Sequence, residues 1–171
     1  RDKGVEVFSE IPRKYEQIKD EVSSFGLPKP KVMINTPYGE NWFMAFTSSY
    51  MARLIADAGG DYVYKKNDSN RSLPIDMEEA ALLIDEADVW INVDGVSTLK
   101  ELKGRFPRFA DAPCVKKGEI YKSDLKRAPG GGNDFWESGV IYPDKVLSDM
   151  AKIFYPREME DVEFTYYRKL E

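Results

Sequence analysis

Tyr38 and Trp42 flank the short run Gly39-Glu40-Asn41. Two large aromatic faces beside a carboxylate and an amide suit a site that stacks on a flat or greasy ligand and hydrogen-bonds its amides or hydroxyls. The same residues also fit a plainer arrangement, with both rings plugging the core and Glu40 and Asn41 serving as turn and cap residues. A second cluster, Asp134-Phe135-Trp136-Glu137, follows the glycines Gly130 to Gly132. It suits a cleft wall or a core plug better than an acid/base pair, because no nucleophile or metal-ligand cluster accompanies it. The glycine run lacks the Lys-Ser/Thr of a phosphate loop and does not follow the first strand, as a dinucleotide fingerprint does. Glu78 falls at the second position of a helix, where its charge complements the helix dipole; exposed there, it could also meet an arginine on a partner.

Composition narrows the chemistry further. The chain has 171 residues, 42% of them hydrophobic, enough for one domain with a core and too few for two full-sized ones. With 25 basic against 30 acidic residues and a net charge of −5, no basic field exists to attract a phosphate backbone, which argues against nucleic acid as a partner. The chain contains no histidine, so the commonest general base and transition-metal ligand are missing. The lone cysteine, Cys114, allows no internal disulfide and reads as a small core residue. No stretch approaches the ~20 apolar residues of a membrane span, and the N-terminus carries no signal-like pattern.

The elements that must position these residues alternate. Val5, Phe8, Ile11, Tyr15, Ile18, Val22 and Phe25 trace one helical stripe that Gly26, Pro28 and Pro30 terminate. Pro12 lies inside it and predicts a kink or a restart. No capping residue precedes Val5, so the chain reads as cut from a longer protein. Lys31 to Asn35 reads as a buried strand and Tyr62 to Tyr64 as a second; between them Asn41 caps a predicted helix from about Trp42 to Ala58. Asp76 and Glu79 form a capping box that opens a helix through Ala87. Val89 to Val93 is a buried strand, Glu119 to Tyr121 a short one, and Pro143 opens a helix to about Phe154. The charged tail from Glu158, with Phe164, Tyr166 and Tyr167, is expected to pack as an extended arm. This alternation predicts an α/β fold: a Rossmann-like three-layer sandwich around a mainly parallel sheet. Ligands of such sheets lie beyond the carboxyl ends of the strands, which selects the loops Pro37 to Trp42 and Asp94 to Thr98.

The segments PKVMINTPYGENW, DAGGDYVY, ADVWINV, GEIY, GGGNDFWESGVIYPDKVLSDMAKIFYP and YYRKL together resemble substrate-binding proteins of bacterial ABC importers for iron-siderophore, haem and cobalamin, in the version common in Bacteroidetes. The likeness covers roughly Lys31 to Leu170 and is most specific in ADVWI and GGNDFWE…PD. It implies a two-lobed clamp whose lobes are joined by a long helix, with residues 1–30 as the remnant of that helix and its linker and 31–171 as the C-terminal lobe. An N-terminal lobe would then be missing. The implied activity is not enzymatic: capture of a bulky metal chelate (ferric siderophore, haem or corrinoid) and delivery to a membrane permease, with no cofactor of its own.

The resemblance also assigns residues. The cleft side of this lobe would be formed by Tyr38, Glu40, Asn41, Trp42, Asp94 and Arg127, together with Asn133 and Trp136. Glu78 matches the glutamate that docks into permease arginines, with Glu79 as the alternative. The implied location is the periplasm, with a lipid anchor. The rival from another class is a flavodoxin-like or nucleotide-binding α/β enzyme, which would place a glycine-rich or hydroxyl-rich phosphate loop directly after Asn35. An interaction module with an exposed aromatic tail is a third reading.

Overall fold

Three short parallel strands lie at the centre of the computed structural model, which describes residues 2–171. Strand β1 (Lys31–Ile34) runs between β3 (Asp61–Tyr62) and β5 (Val89–Ile91). Val32 pairs with Tyr62 on one side and Val89 on the other, Ile34 pairs with Ile91, and Ile120 adds a parallel bridge to Trp90. Val32, Met33, Ile34, Trp90 and Ile91 are wholly buried, as a parallel sheet covered on both faces requires.

The connection from β1 to β3 passes through α2 (Tyr50–Asp57), and the return from β3 across β1 to β5 passes through α3 (Met77–Glu86). Travelling in opposite directions, two right-handed crossovers place their helices on opposite faces. Accordingly α2 packs with α6 (Pro143–Phe154), which packs with α1 (Asp2–Ser24), while α3 packs with the short α5 (Pro113–Lys116). The α/β fold with a parallel sheet and helices on both faces is therefore present.

Several boundaries differ from expectation. Helix α1 runs unbroken across Pro12, which is exposed, so the carbonyl that loses its partner can turn to water. Asn41 does not cap a helix. Asn41–Met44 is strand β2, with Trp42 and Met44 buried and Asn41 and Phe43 exposed, an alternation of period two. It pairs antiparallel with β4 (Leu73–Asp76), Asn41 opposite Asp76. Helix α2 starts eight residues later than expected, capped by Ser49, whose hydroxyl accepts from the Ala52 amide at 3.1 Å. The Asp76 cap of α3 does form, accepting from the Glu79 amide at 2.8 Å, but the Glu79 carboxylate turns to Lys66 at 3.3 Å.

Trp42 is the largest correction. It is fully buried and donates its indole N–H to the Ile34 carbonyl at 2.9 Å. Trp90, also fully buried, donates to the next carbonyl, Asn35, at 2.6 Å. The two indoles lie 5.3 Å apart, with Phe109 edge-on to Trp42 at 5.5 Å. Of the two arrangements open to Trp42, the core plug is the one adopted. Its ring cannot face a ligand.

The tail is equally well seated. Strand β7 (Arg168–Lys169) pairs antiparallel with β6 (Tyr121–Lys122), and Tyr166 and Tyr167 are wholly buried, which removes the basis for an exposed aromatic tail. Asp149 of α6 organises it. Its fully buried carboxylate accepts the backbone amides of Thr165 (2.9 Å), Tyr166 (2.6 Å) and Tyr167 (2.9 Å).

Two substitutions test this packing. Trp42→Ala should lower stability by about 4 kcal/mol in denaturant titration, because it empties a large core site and orphans the Ile34 carbonyl. A loss under about 1 kcal/mol would mean the ring is not part of the core. Asp149→Ala should cost about 3 kcal/mol by leaving three buried amides without an acceptor, and Asp149→Asn, which keeps one carbonyl oxygen, should cost less. Equal losses for the two would contradict the amide-holding role.

Candidate functional site

Immediately beyond the register pair Ile34 and Ile91 stand Asn35 and Asn92, both with left-handed backbone, at φ 65° and 58°. Asparagine tolerates that conformation better than other side-chain-bearing residues. The Asn35 amide donates to the Ile91 carbonyl at 3.1 Å, so the two strand ends are tied together at the point where their chains part. After β1 the chain leads to α2 on one face; after β5 it leads through α4 (Leu99–Arg105) to α5 on the other. A crevice between diverging strands of this kind is where open α/β sheets bind ligands.

A cavity of about 230 Å³ occupies that crevice, lined by Asn35, Thr36, Asn92, Val93, Asp94, Lys122, Ser123, Asn133 and Trp136. Its polar groups divide into committed and free. Asn92 accepts from the Tyr167 hydroxyl at 2.5 Å, and Lys122 donates to the Val96 carbonyl at 2.7 Å while pairing with Asp124 at 3.5 Å. Burial alone would raise the Asp124 carboxyl, but Arg168, at 2.6 Å, and Lys122 hold it below its usual range. Among the described residues, the side-chain amide of Asn35, the Thr36 and Ser123 hydroxyls and one Asp94 oxygen have no hydrogen-bond partner, leaving them available to an occupant.

One wall of the cavity is formed by Asn133 and Trp136, which follow the glycine run. The glycines form a tight hairpin: the Ala128 amide donates to the Gly132 carbonyl and the Gly131 amide to the Ala128 carbonyl, both at 2.8 Å. Those amides are spent on carbonyls within the turn rather than left free for a phosphate. Asp134 accepts from Ser138 at 2.6 Å and pairs with Lys126 at 3.0 Å, and these contacts hold its carboxyl below the usual range. Tied down in this way, it serves as an anchor. Phe135 is buried against Tyr166 and Tyr167, and Trp136, 69% exposed as a residue, stands edge-on to it at 5.0 Å.

Of the residues expected in a cleft, Asp94, Asn133 and Trp136 line this cavity. Tyr38, Glu40 and Asn41 are exposed on the adjoining turn, closed by the Tyr38 amide to the Asn41 carbonyl at 2.8 Å, and do not line it. Arg127 is exposed, donates to the Gly131 carbonyl at 3.3 Å and also lies outside the lining. Trp42 is beneath, in the core. Asn35, Thr36, Asn92, Lys122 and Ser123 are lining residues that sequence reasoning did not select. A signal for two of them was present: Ile-Asn ends both buried runs, at Ile34-Asn35 and Ile91-Asn92. A broader depression of about 530 Å³ along β7 shares no residue with this cavity.

The β2–β4 pairing sets Asp76, and with it the start of α3, beside Asn41 at the crevice end of the lobe. Glu78 is exposed there and, among the described residues, makes no ion pair or hydrogen bond, whereas Glu79 is half-buried and held by Lys66. Between the two, only Glu78 presents a free carboxylate.

Comparison with known proteins places this architecture. A family model described as periplasmic binding protein matches residues 1–125. An uncharacterized lipoprotein of Methanocaldococcus jannaschii is 26% identical over 144 residues, which cover 82% of this chain and 33% of that protein. Among solved structures, the TroA-like periplasmic binding protein FepB from Veillonella parvula superposes with a TM-score of 0.66 at 18% identity, over 95% of this chain and 56% of that one. An ABC transporter solute-binding protein from Sulfurospirillum deleyianum gives 0.67 at 17% identity (91% and 48% of the two chains). The periplasmic heme-binding protein RhuT from Roseiflexus gives 0.63 at 18% (88% and 54%). The structural likeness is one of fold, and the chain spans a third of the curated relative's length and about half of the solved chains'. With its parallel sheet, its strand-end crevice and a family model that covers most of its length, the chain belongs to the periplasmic binding protein family.

Proposed function

We propose that this chain is the C-terminal lobe of the substrate-binding component of an ABC importer, that it captures a bulky metal chelate against a second lobe, and that it delivers the chelate to a membrane permease. The observation that carries this reading is the crevice between β1 and β5, with free hydrogen-bonding groups on its floor and the exposed Trp136 ring on its wall. A cavity of this size matches one side of a bulky ligand, which a shallow cleft between two lobes would complete. Two structural neighbours support the ligand class: one is a periplasmic heme-binding protein and another a possible iron-binding protein.

Residues 1–30 fit the role of a connecting helix and linker, and 31–171 the lobe. The C-terminal half of α1 is held to the lobe by Tyr15, whose hydroxyl donates to Asp57 at 2.5 Å, and by Val22, which is buried. Nearer its start, Val5 and Phe8 are 70% and 65% exposed, on the same stripe, as expected of a helix whose other end meets another body. The lobe would act by shape and a few polar contacts, without chemistry of its own, and a separate ATPase would supply the energy of transport. A lipid-anchored periplasmic protein is the matching location, in keeping with the family and the lipoprotein relative.

Glu78 is the docking residue in this reading, a free carboxylate that can form an orienting pair with a permease arginine. Glu78→Arg in the full-length protein should abolish transport while leaving chelate affinity within about twofold. An equal loss of affinity and transport would refute the docking role.

The capture reading is tested by titrating the full-length protein with haem, corrinoids and ferric siderophores while following tryptophan fluorescence. Binding by one of these classes should be saturable at one chelate per protein. Trp136→Ala should weaken that affinity about tenfold, the scale of one aromatic contact. Binding of a flavin or nucleotide in place of every chelate would instead favour an enzyme.

A further inference from the structure

The turn at Tyr38 stays outside the cavity and leads instead to the start of α3. Tyr38 bridges to Asn41, Asn41 pairs with Asp76 across β2 and β4, and Asp76 caps α3, whose second residue is Glu78. The alternation that buries Trp42, Met44 and Ile75 turns Phe43 outward beside Pro74, its register partner. Leu82 follows Glu78 by one helical turn, so the two side chains share a face of α3. Tyr38 is 81% exposed and Leu82 70%, and Phe43 and Pro74 are exposed with them. Large apolar groups thus surround a carboxylate that the surrounding charges leave free. Lys66 is spent on Glu79, while Arg108, on the turn Pro107–Phe109 packed against α3, makes no ion pair among the described residues. Glu40 in the Tyr38 turn and Asp85 further along α3 are exposed acids, likewise without an ion pair among the described residues.

We propose that Tyr38, Phe43, Pro74 and Leu82 form with Glu78 a single docking surface for an arginine-bearing extracytoplasmic loop of the permease, in which the apolar groups exclude water from the Glu78 contact. The proposal rests on the docking reading above and extends it from one residue to a surface. An ion pair left in water adds about fivefold or less to an affinity, too little to orient one protein on another. Rimmed by apolar side chains that shed their water on contact, the same pair acts through a lower effective dielectric and is strengthened. Arginine is the matching cation because its planar guanidinium can bond the carboxylate and also stack on an aromatic face such as that of Tyr38 or Phe43. The surface is separate from the crevice, since none of its five residues lines the cavity.

The test measures binding of the full-length protein to its own permease–ATPase complex in lipid nanodiscs and, separately, to haem, a corrinoid and a ferric siderophore. A triple variant, Tyr38→Ser with Phe43→Thr and Leu82→Ala, alters only exposed positions and keeps residues that suit a turn, a strand and a helix. It should weaken docking at least about thirtyfold and leave chelate affinity within about twofold. Glu78→Gln should cost about tenfold on the native surface but under about threefold in the triple variant, where the ion pair is left in water. Docking indifferent to the triple variant, or an equal cost of Glu78→Gln in the two backgrounds, would overturn the proposal and leave Glu78 as a lone docking residue. Docking indifferent to Glu78→Gln as well would remove the docking reading itself. Chelate affinity lost in the triple variant would make the surface a ligand contact and overturn the proposal too.

Discussion

Two indole N–H groups from the core hold the end of the central strand. Trp42 and Trp90 donate to consecutive carbonyls, Ile34 and Asn35, where the chain leaves the sheet and turns left-handed. A carbonyl at that place has lost its ladder partner and would otherwise need water inside the protein. The indoles satisfy both carbonyls with groups that also fill the core, so the crevice floor is as rigid as the hydrophobic interior below it. Without that support neither Asn35 nor its neighbour Asn92 would have a fixed place, and the cavity between them would have no defined shape.

The opposite wall depends on the tail. Asp149 gathers the amides of residues 165 to 167, which buries Tyr166 and Tyr167; their rings back Phe135, and Phe135 backs Trp136. Tyr167 also reaches Asn92 through its hydroxyl, and Tyr166 meets Ser138 at 2.7 Å. One buried carboxylate on α6 thus supports both the loop that carries Trp136 and the strand-end asparagine across from it. The last residues of the chain are consequently part of the site's foundation even though, apart from this relay, they do not line the cavity.

Much of the architecture was legible in the sequence because it follows from local rules. The two buried runs ending in Ile-Asn, the Asp76 cap and the Pro143 start each carry their own signal. The segment from Asn41 to Met44 was misread because Asn before an apolar stretch satisfies a cap rule, while its strand identity comes from pairing with β4, some thirty positions away. Ser49, the true cap, stands at the end of a Thr-Ser-Ser run that carried the signal. The strand-end rule found the right region, but the exposed turn at Tyr38 and the core position of Trp42 depend on which face of a strand each residue takes. Lys122 and Ser123 were invisible for a similar reason: they reach the cavity only because the chain after α5 returns beside β5.

The central claim is that ligand is held at the crevice between β1 and β5. Hydrogen exchange of the full-length protein with and without a bound chelate tests it most directly. Slowed exchange at residues 35–36, 92–94, 123 and 133–136, with little change along the depression at 97–98 and 164–169, is the expected pattern. Protection confined to the β7 depression, or absent from the strand ends while ligand is bound, would contradict it.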